Sequence, residues 1–150
     1  MIRAATEADV AAITDIEARA WRWAYSDFVD YDAMPIAEER VERWRGHVAA
    51  GRVRVFDQDG AVVGYASVDD HQLTSLYVDP AAQGAGVGAR LHDDALERLR
   101  AGGHSAAWLW VFTANDQGRA FYERRGWRAV GDPHREPHWV GEALRYEREL

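Results

Sequence analysis

The sequence contains no cysteine, which excludes disulfides, thiolate zinc sites and a cysteine nucleophile together. Proline is scarce at 4 residues, and no Pro-, Gly- or Ser-rich linker, low-complexity tract or internal repeat divides the chain. One domain over residues 1–150 is the expectation, long enough for a single sizeable core. No apolar run approaches membrane-spanning length, and residues 1–6 lack the uninterrupted apolar core of a secretory signal. A soluble, cytoplasmic protein with no membrane partner is expected. Positive charge is in deficit, 18 Lys+Arg against 25 Asp+Glu, for a net charge of −7. That balance argues against a nucleic-acid partner; it suits a cationic amine and also ordinary solubility. There is no Gly-x-Ser-x-Gly elbow, so an α/β-hydrolase is excluded. His92-Asp93-Asp94 lacks matching histidine–acid pairs elsewhere. His134 and His138 are flanked by Pro133 and Pro137, which oppose the helix needed to turn both one way, so no metal site is expected.

What is present is organised around residues 73–99. Leu73-Thr74-Ser75-Leu76-Tyr77-Val78 is an apolar run dense in β-formers, stopped by Asp79-Pro80. Gln83-Gly84-Ala85-Gly86-Val87-Gly88 follows. Leu91, Ala95, Leu96 and Leu99 then fall at helical spacing, with charges opposite. Glycines where a strand hands over to a helix leave main-chain N–H groups uncovered. The helix start adds partial positive charge, so a ligand's phosphates can sit there. The spacing is neither Gly-x-Gly-x-x-Gly nor a P-loop, which needs a Lys-Ser/Thr pair. A glycine-rich turn is also a common purely structural solution.

From the N-terminus, residues 1–5 read as a strand. Thr6-Glu7-Ala8-Asp9 reads as a helix start, and Val10, Ile13, Ile16 and Glu17 continue the helical pattern towards Trp21. A second helix is predicted over 36–50, closed by Gly51. Strands over 52–56 and 61–68 flank the hairpin turn Asp57-Gln58-Asp59-Gly60. Gly102-Gly103 breaks the chain after the central helix, and 106–112 returns as a strand. Asn115 starts a helix over 117–125 that Gly126 stops, and strands over 127–130 and 143–148 close the chain. Pro133 and Pro137 are assigned to the connecting loop because proline is awkward inside a sheet. The order is β-α-α-β-β-β-α-β-α-β-β.

Gln83-x-x-Gly86-x-Gly88 resembles the acetyl-CoA pyrophosphate loop of the GCN5-related N-acetyltransferase (GNAT) superfamily. Asn115-Asp116-Gln117-Gly118-Arg119-Ala120-Phe121-Tyr122-Glu123-Arg124-Arg125-Gly126-Trp127 is similar to that family's Asn…Ala-x-x-(Phe/Leu)-Tyr-Glu-Lys-x-Gly-Phe segment. Both motifs stand in family order and spacing, and the resemblance covers nearly the whole chain. Gly118 in place of the commoner Ala and Trp127 in place of Phe are small departures. The fold so implied is α/β (α+β), the GNAT acyl-CoA N-acyltransferase fold. Its central sheet is mixed, mostly antiparallel and splayed between two parallel strands, with helices on both faces.

The resemblance implies an acetyl-CoA-dependent N-acetyltransferase that needs no metal. The pantetheine arm would lie in the split between strands 73–78 and 106–112, on main chain of Leu76, Tyr77 and Val78. The pyrophosphate would meet Gln83, Gly84, Ala85, Gly86, Val87 and Gly88. A bulge in strand 73–78 would aim amides at the thioester carbonyl. Tyr122 matches the position that protonates the departing sulfur, which a phenol of ordinary pKa about 10 can do. Asn115 matches the residue that bonds the pantetheine arm, a role compatible with capping its helix. Histone-type relatives carry a glutamate where Gln72 stands. The neighbours Asp70 and His71 are the candidate bases, against a solvated turn or an ordered water.

Trp21, Tyr25 and Asp27 are the candidate acceptor-binding residues, with Trp139 a further contact. Trp21 and Tyr25 equally suit an apolar patch closing the domain, and Trp108 and Trp110 suit packing. Three readings stand: acetylation of a small-molecule amine, acetylation of a protein N-terminus or lysine, and a non-catalytic acyl-CoA-binding module. A homodimer is among the assemblies the resemblance allows.

Overall fold

The computed structural model describes residues 1–25, 37–137, 139 and 141–150; for Trp23, Ala24, Tyr25 and Ala37 it describes the backbone only. The elements are β1 (Ile2–Ala4), α1 (Val10–Tyr25), α2 (Ala37–Ala49), β2 (Val53–Gln58), β3 (Ala61–Asp69) and β4 (Gln72–Val78). They continue as α3 (Val87–Ala101), β5 (Ala106–Phe112), α4 (Asp116–Glu123), β6 (Arg128–His134) and β7 (Ala143–Glu149). This is the expected order, with most boundaries moved by a residue or two.

The strands form one sheet in the order β1-β2-β3-β4-β5-β7-β6. Every pairing is antiparallel except that of β4 with β5. The β2–β3 hairpin forms where Asp59 and Gly60 supply the positive φ its turn requires, 54° and 87°. α1 begins from a short 3-10 turn in which Thr6 and Asp9 form a capping box. Asp9 also binds Arg3, and that hydrogen bond holds its carboxyl down at about 2.

Alternation along the strands divides the core into two layers. Leu73, Ala107, Leu109 and Val111 face α3, where Leu91, Ala95, Leu96 and Leu99 present their apolar stripe. Val53, Val55 and Tyr65 face the other way, against Val10, Ile13 and Ile16 of α1 and Trp44 of α2. Helices therefore cover both faces of the sheet.

Pro133 lies inside β6 rather than in the loop after it. Two features permit this. β6 is an edge strand, and its register against β7 shifts between Val130 and His134, so Pro133 need not donate to a ladder.

α4 is held against α3 by a buried polar contact. The Trp127 indole Nε1–H donates to Nε2 of His92 at 2.9 Å, and His92 is 2 % exposed. An indole nitrogen only donates, so Nε2 must be bare and the ring neutral, its proton on Nδ1 beside Asp93. Burial accordingly pushes the His92 pKa below its ordinary value. Below about pH 6.5 the unfolded chain takes a proton that the folded one resists, so stability falls with acidification. His92→Gln keeps an acceptor for Trp127 and removes the titration. The Tm advantage of the wild type over this variant should shrink as pH is lowered from about 7 to 5. A pH-independent difference in thermal scans would show that His92 does not titrate on unfolding.

Candidate active site

β4 and β5 meet at a single register pair, Gln72 opposite Trp108, with Trp108 N–H donating to the His71 carbonyl at 3.1 Å. Beyond that point the strands part. Asp79 N–H donates to Val63 O across the β3–β4 ladder. Because an antiparallel ladder alternates, Tyr77 shares that direction, and the N–H and C=O groups of Leu76 and Val78 turn into the split. The split is thus lined by main chain without a neighbouring strand. β4 also carries a bulge: the register against β3 shifts between Ser67 and Val68, leaving Thr74 without an opposite residue.

A cavity of about 390 Å³ opens from this split. Leu76, Tyr77 and Val78 form one side and the loop before α3 forms the floor. Asn115, Gln117, Phe121 and Tyr122 of α4 stand opposite. Of the loop residues, Gln83, Gly84, Gly86, Val87 and Gly88 line the cavity, whereas Ala85 turns to a separate recess beside Phe56 and Arg90. Gly84 and Gly86 have φ of 85° and 81°, the left-handed region that a side chain resists. Gly88 is helical and lies against Phe121: a Cβ there would sit 3.5 Å from that ring, in ordinary contact. Gly86 is the N-cap of α3, and no side chain caps it. The first-turn N–H groups of a 15-residue helix therefore remain for a ligand. Arg124 and Arg125 also line the cavity, and among the described residues no lining residue is acidic. In a chain of net charge −7, this is a local reversal of sign. The cavity fits an elongated anion whose phosphates reach the loop and whose uncharged arm enters the split.

Asn115 accepts a hydrogen bond from Gly118 N–H at 3.0 Å, so it caps α4 while also lining the cavity. Gly118 gives that side chain room, since a Cβ there would meet the Asn115 amide. Trp21 braces the split from the α1 side. Its Nε1–H donates to the Tyr77 hydroxyl on β4 at 3.1 Å, and its ring meets Phe112 on β5 edge-on at 5.5 Å. Trp110 contacts Trp139 and stacks on His134, and Arg145 lies over Trp108, so the outer face of β5 carries a run of packed aromatic rings. The Tyr25 side chain, Asp27 and His138 lie outside the described residues.

Asp70 and His71 form a pair at 2.9 Å in the exposed β3–β4 turn. They sit at the closed end of the β4–β5 pair, and Leu76 lies roughly 17 Å beyond His71 along the strand at about 3.3 Å per residue. The structure does not bring either to the cavity. Sequence reading passed over Gln117, Arg124 and Arg125. Their signal was the α4 periodicity, which sets 117, 121, 124 and 125 on one face.

The sheet is thus parted between two parallel strands, with a glycine loop and a helix N-terminus at the mouth. A model of the acetyltransferase (GNAT) family matches residues 10–127, and the chain belongs to that family. It is 35% identical over 129 residues to mycothiol acetyltransferase of Beutenbergia cavernae, covering 78% of this chain and 43% of that protein. The chain thus spans less than half the length of that relative. It is 30% identical over 140 residues to N-alpha-acetyltransferase RimI of Mycobacterium tuberculosis, covering 87% of this chain and 79% of that one. Among solved structures, the PaiA N-acetyltransferase of Thermoplasma acidophilum in complex with coenzyme A shares the fold. Its TM-score is 0.81 at 17% identity, over 100% of this chain and 98% of that one.

Gly86→Ala forces a side chain into left-handed backbone at the loop's turn into α3. We expect coenzyme A affinity by calorimetry to fall at least about tenfold with the fold retained, whereas Gly88→Ala changes it by less than about threefold. Equal losses for the two variants would remove the positive φ as the reason for Gly86.

Proposed function

We propose that the chain is an acetyl-CoA-dependent N-acetyltransferase that passes the acetyl group directly to a primary amine of a small molecule. The observation that carries this is the single cavity bounded by bare β4 main chain, the uncapped start of α3 and Tyr122. When bound, acetyl-CoA supplies an acetyl carbon activated as a thioester with a thiol leaving group.

The chain's own residues then have distinct tasks. The loop amides of Gln83, Gly84, Gly86 and Gly88 hold the pyrophosphate, and Leu76 and Val78 hold the arm as an added strand would be held. Their N–H groups are also the donors available to the carbonyl oxygen as it gains charge. Tyr122 gives its phenolic proton to the sulfur as the carbon–sulfur bond breaks and the new carbon–nitrogen bond forms. The amine nitrogen sheds its proton to water at the open mouth. Placement supplies most of the rate and proton transfer the remainder.

The acceptor approaches from the α1 side, where Trp21 spans Tyr77 and Phe112, with Tyr25 and Asp27 further along the same segment. The likeness to mycothiol acetyltransferase favours a small-molecule amine. The likeness to an N-alpha-acetyltransferase favours an α-amine as a second reading. A cytoplasmic location suits both, and among the described residues no helix is long and apolar enough to cross a membrane.

The test is free-thiol release from acetyl-CoA across a panel of small amines and short peptides. Turnover with small amines and none with peptides supports the first reading, and the converse supports the second. Coenzyme binding without turnover of any amine would point to a binding module. Tyr122→Phe should fold normally and lower kcat by about 10²-fold, within the usual range for a lost general acid. An unchanged kcat would take Tyr122 out of the mechanism.

A further inference from the structure

All 18 basic residues of the chain are arginines, and their positions around the cavity are uneven. Arg19, near the loop, is engaged by Asp79 at 2.7 Å. Arg90, one turn into α3, lies over Phe56 on the far side of the loop. That leaves Arg124 and Arg125 as the cations on the cavity wall.

The two differ in what already holds them. The Arg125 guanidinium lies 3.8 Å above the Phe121 ring, and its Nη1 donates to the Phe121 carbonyl at 3.1 Å. Its own carbonyl accepts from Arg148 Nε at 2.7 Å. Arg125 thus serves the C-terminal end of α4, where orphan carbonyls favour a cation. Complementing the helix end accounts for Arg125 but not for Arg124. The Arg124 backbone closes the last turn by donating to Ala120 O at 3.1 Å. Its side chain is exposed and makes no hydrogen bond or ion pair among the described residues.

Phe121 stands between Arg125 and the loop. One part of its ring meets the Gly88 position, and its face carries the Arg125 guanidinium. One cavity wall thus holds the loop amides that suit a pyrophosphate and, beyond Phe121, a pair of adjacent arginines. Besides its pyrophosphate, coenzyme A carries a second anionic group, the 3′-phosphate of its ribose, a near-dianion at neutral pH. A main-chain nest suits a pyrophosphate, whereas a terminal phosphate is best met by a guanidinium fork.

We propose that Arg124 binds the 3′-phosphate and makes this site selective for coenzyme A over 3′-dephospho-coenzyme A. This rests on the reading of the cavity as a coenzyme A site, and it adds a discriminating residue that the loop itself cannot supply. The pyrophosphate and pantetheine are common to both ligands, so a loop-only site would bind them equally.

The test is titration calorimetry of the full chain with coenzyme A and with 3′-dephospho-coenzyme A, at low and at high salt. The wild type should prefer coenzyme A by about tenfold or more at low salt and by less at high salt, as expected for a solvent-facing charge pair. Arg124→Ala should bring the ratio near one by weakening coenzyme A alone, Arg124→Glu should lower it further, and Arg124→Lys should restore part of it. Arg100→Ala is the control: Arg100 lies near the opposite end of α3, about 20 Å from the loop at about 1.5 Å per residue, and should keep the wild-type ratio. A wild type that binds both ligands equally, or an Arg124→Ala variant that keeps the preference, overturns the assignment while leaving the cavity a coenzyme site. A wild type that binds neither ligand overturns the coenzyme reading itself, and this assignment with it.

Discussion

One incomplete strand pairing underlies the site. β4 and β5 are the sheet's parallel neighbours, and they touch at Gln72 and Trp108 before parting. A parted parallel pair exposes N–H and C=O groups that cannot stay bare in an apolar setting. The protein therefore carries an unfilled ladder along Leu76–Val78, and an extended polar ligand can complete it. On either side, β2–β3–β4 and β5–β7 are paired antiparallel, so each half of the sheet has its own ladder.

The helices that flank the gap each finish part of the cavity. α3 packs its apolar stripe under the sheet and so aims its uncapped N-terminus at the end of the split. α4 stands opposite with Tyr122 on the wall, fixed by the Asn115 cap at one end and by the Trp127–His92 bond at the other. On the remaining side Trp21 reaches both parted strands, through Tyr77 and Phe112. Backbone amides, a phenol and aromatic surface thus converge from four elements, with α1 and α4 distant in sequence from the consecutive β4 and α3. The charge follows the same plan: among the described residues of an acidic chain, the cavity wall carries two arginines and no acid.

Legibility followed the physics of each feature. The element order, the glycine loop and the Asn115–Tyr122 segment were readable because each depends on local rules of periodicity, capping and positive φ. Pro133 was assigned to a loop because proline forbids a central strand, yet an edge strand with a register shift accepts it, and edge status is set by the whole sheet. Asp70 and His71 neighbour β4 in sequence but lie at its closed end, a direction that adjacency in the chain does not encode. Arg124 and Arg125 look like ordinary helix-end charges until α4 is set facing the loop.

By itself the sequence determined the alternating strands, the amphipathic helices, the glycine-rich turn over 83–88 and the family motif, all consequences of neighbours within a few residues. Only the tertiary structure decided where β4 and β5 part, which end of β4 faces the cavity and which arginines join it. Those outcomes depend on how seven strands and two helical layers pack against one another, and burial and hydrogen-bond satisfaction are resolved across the whole molecule rather than along the chain.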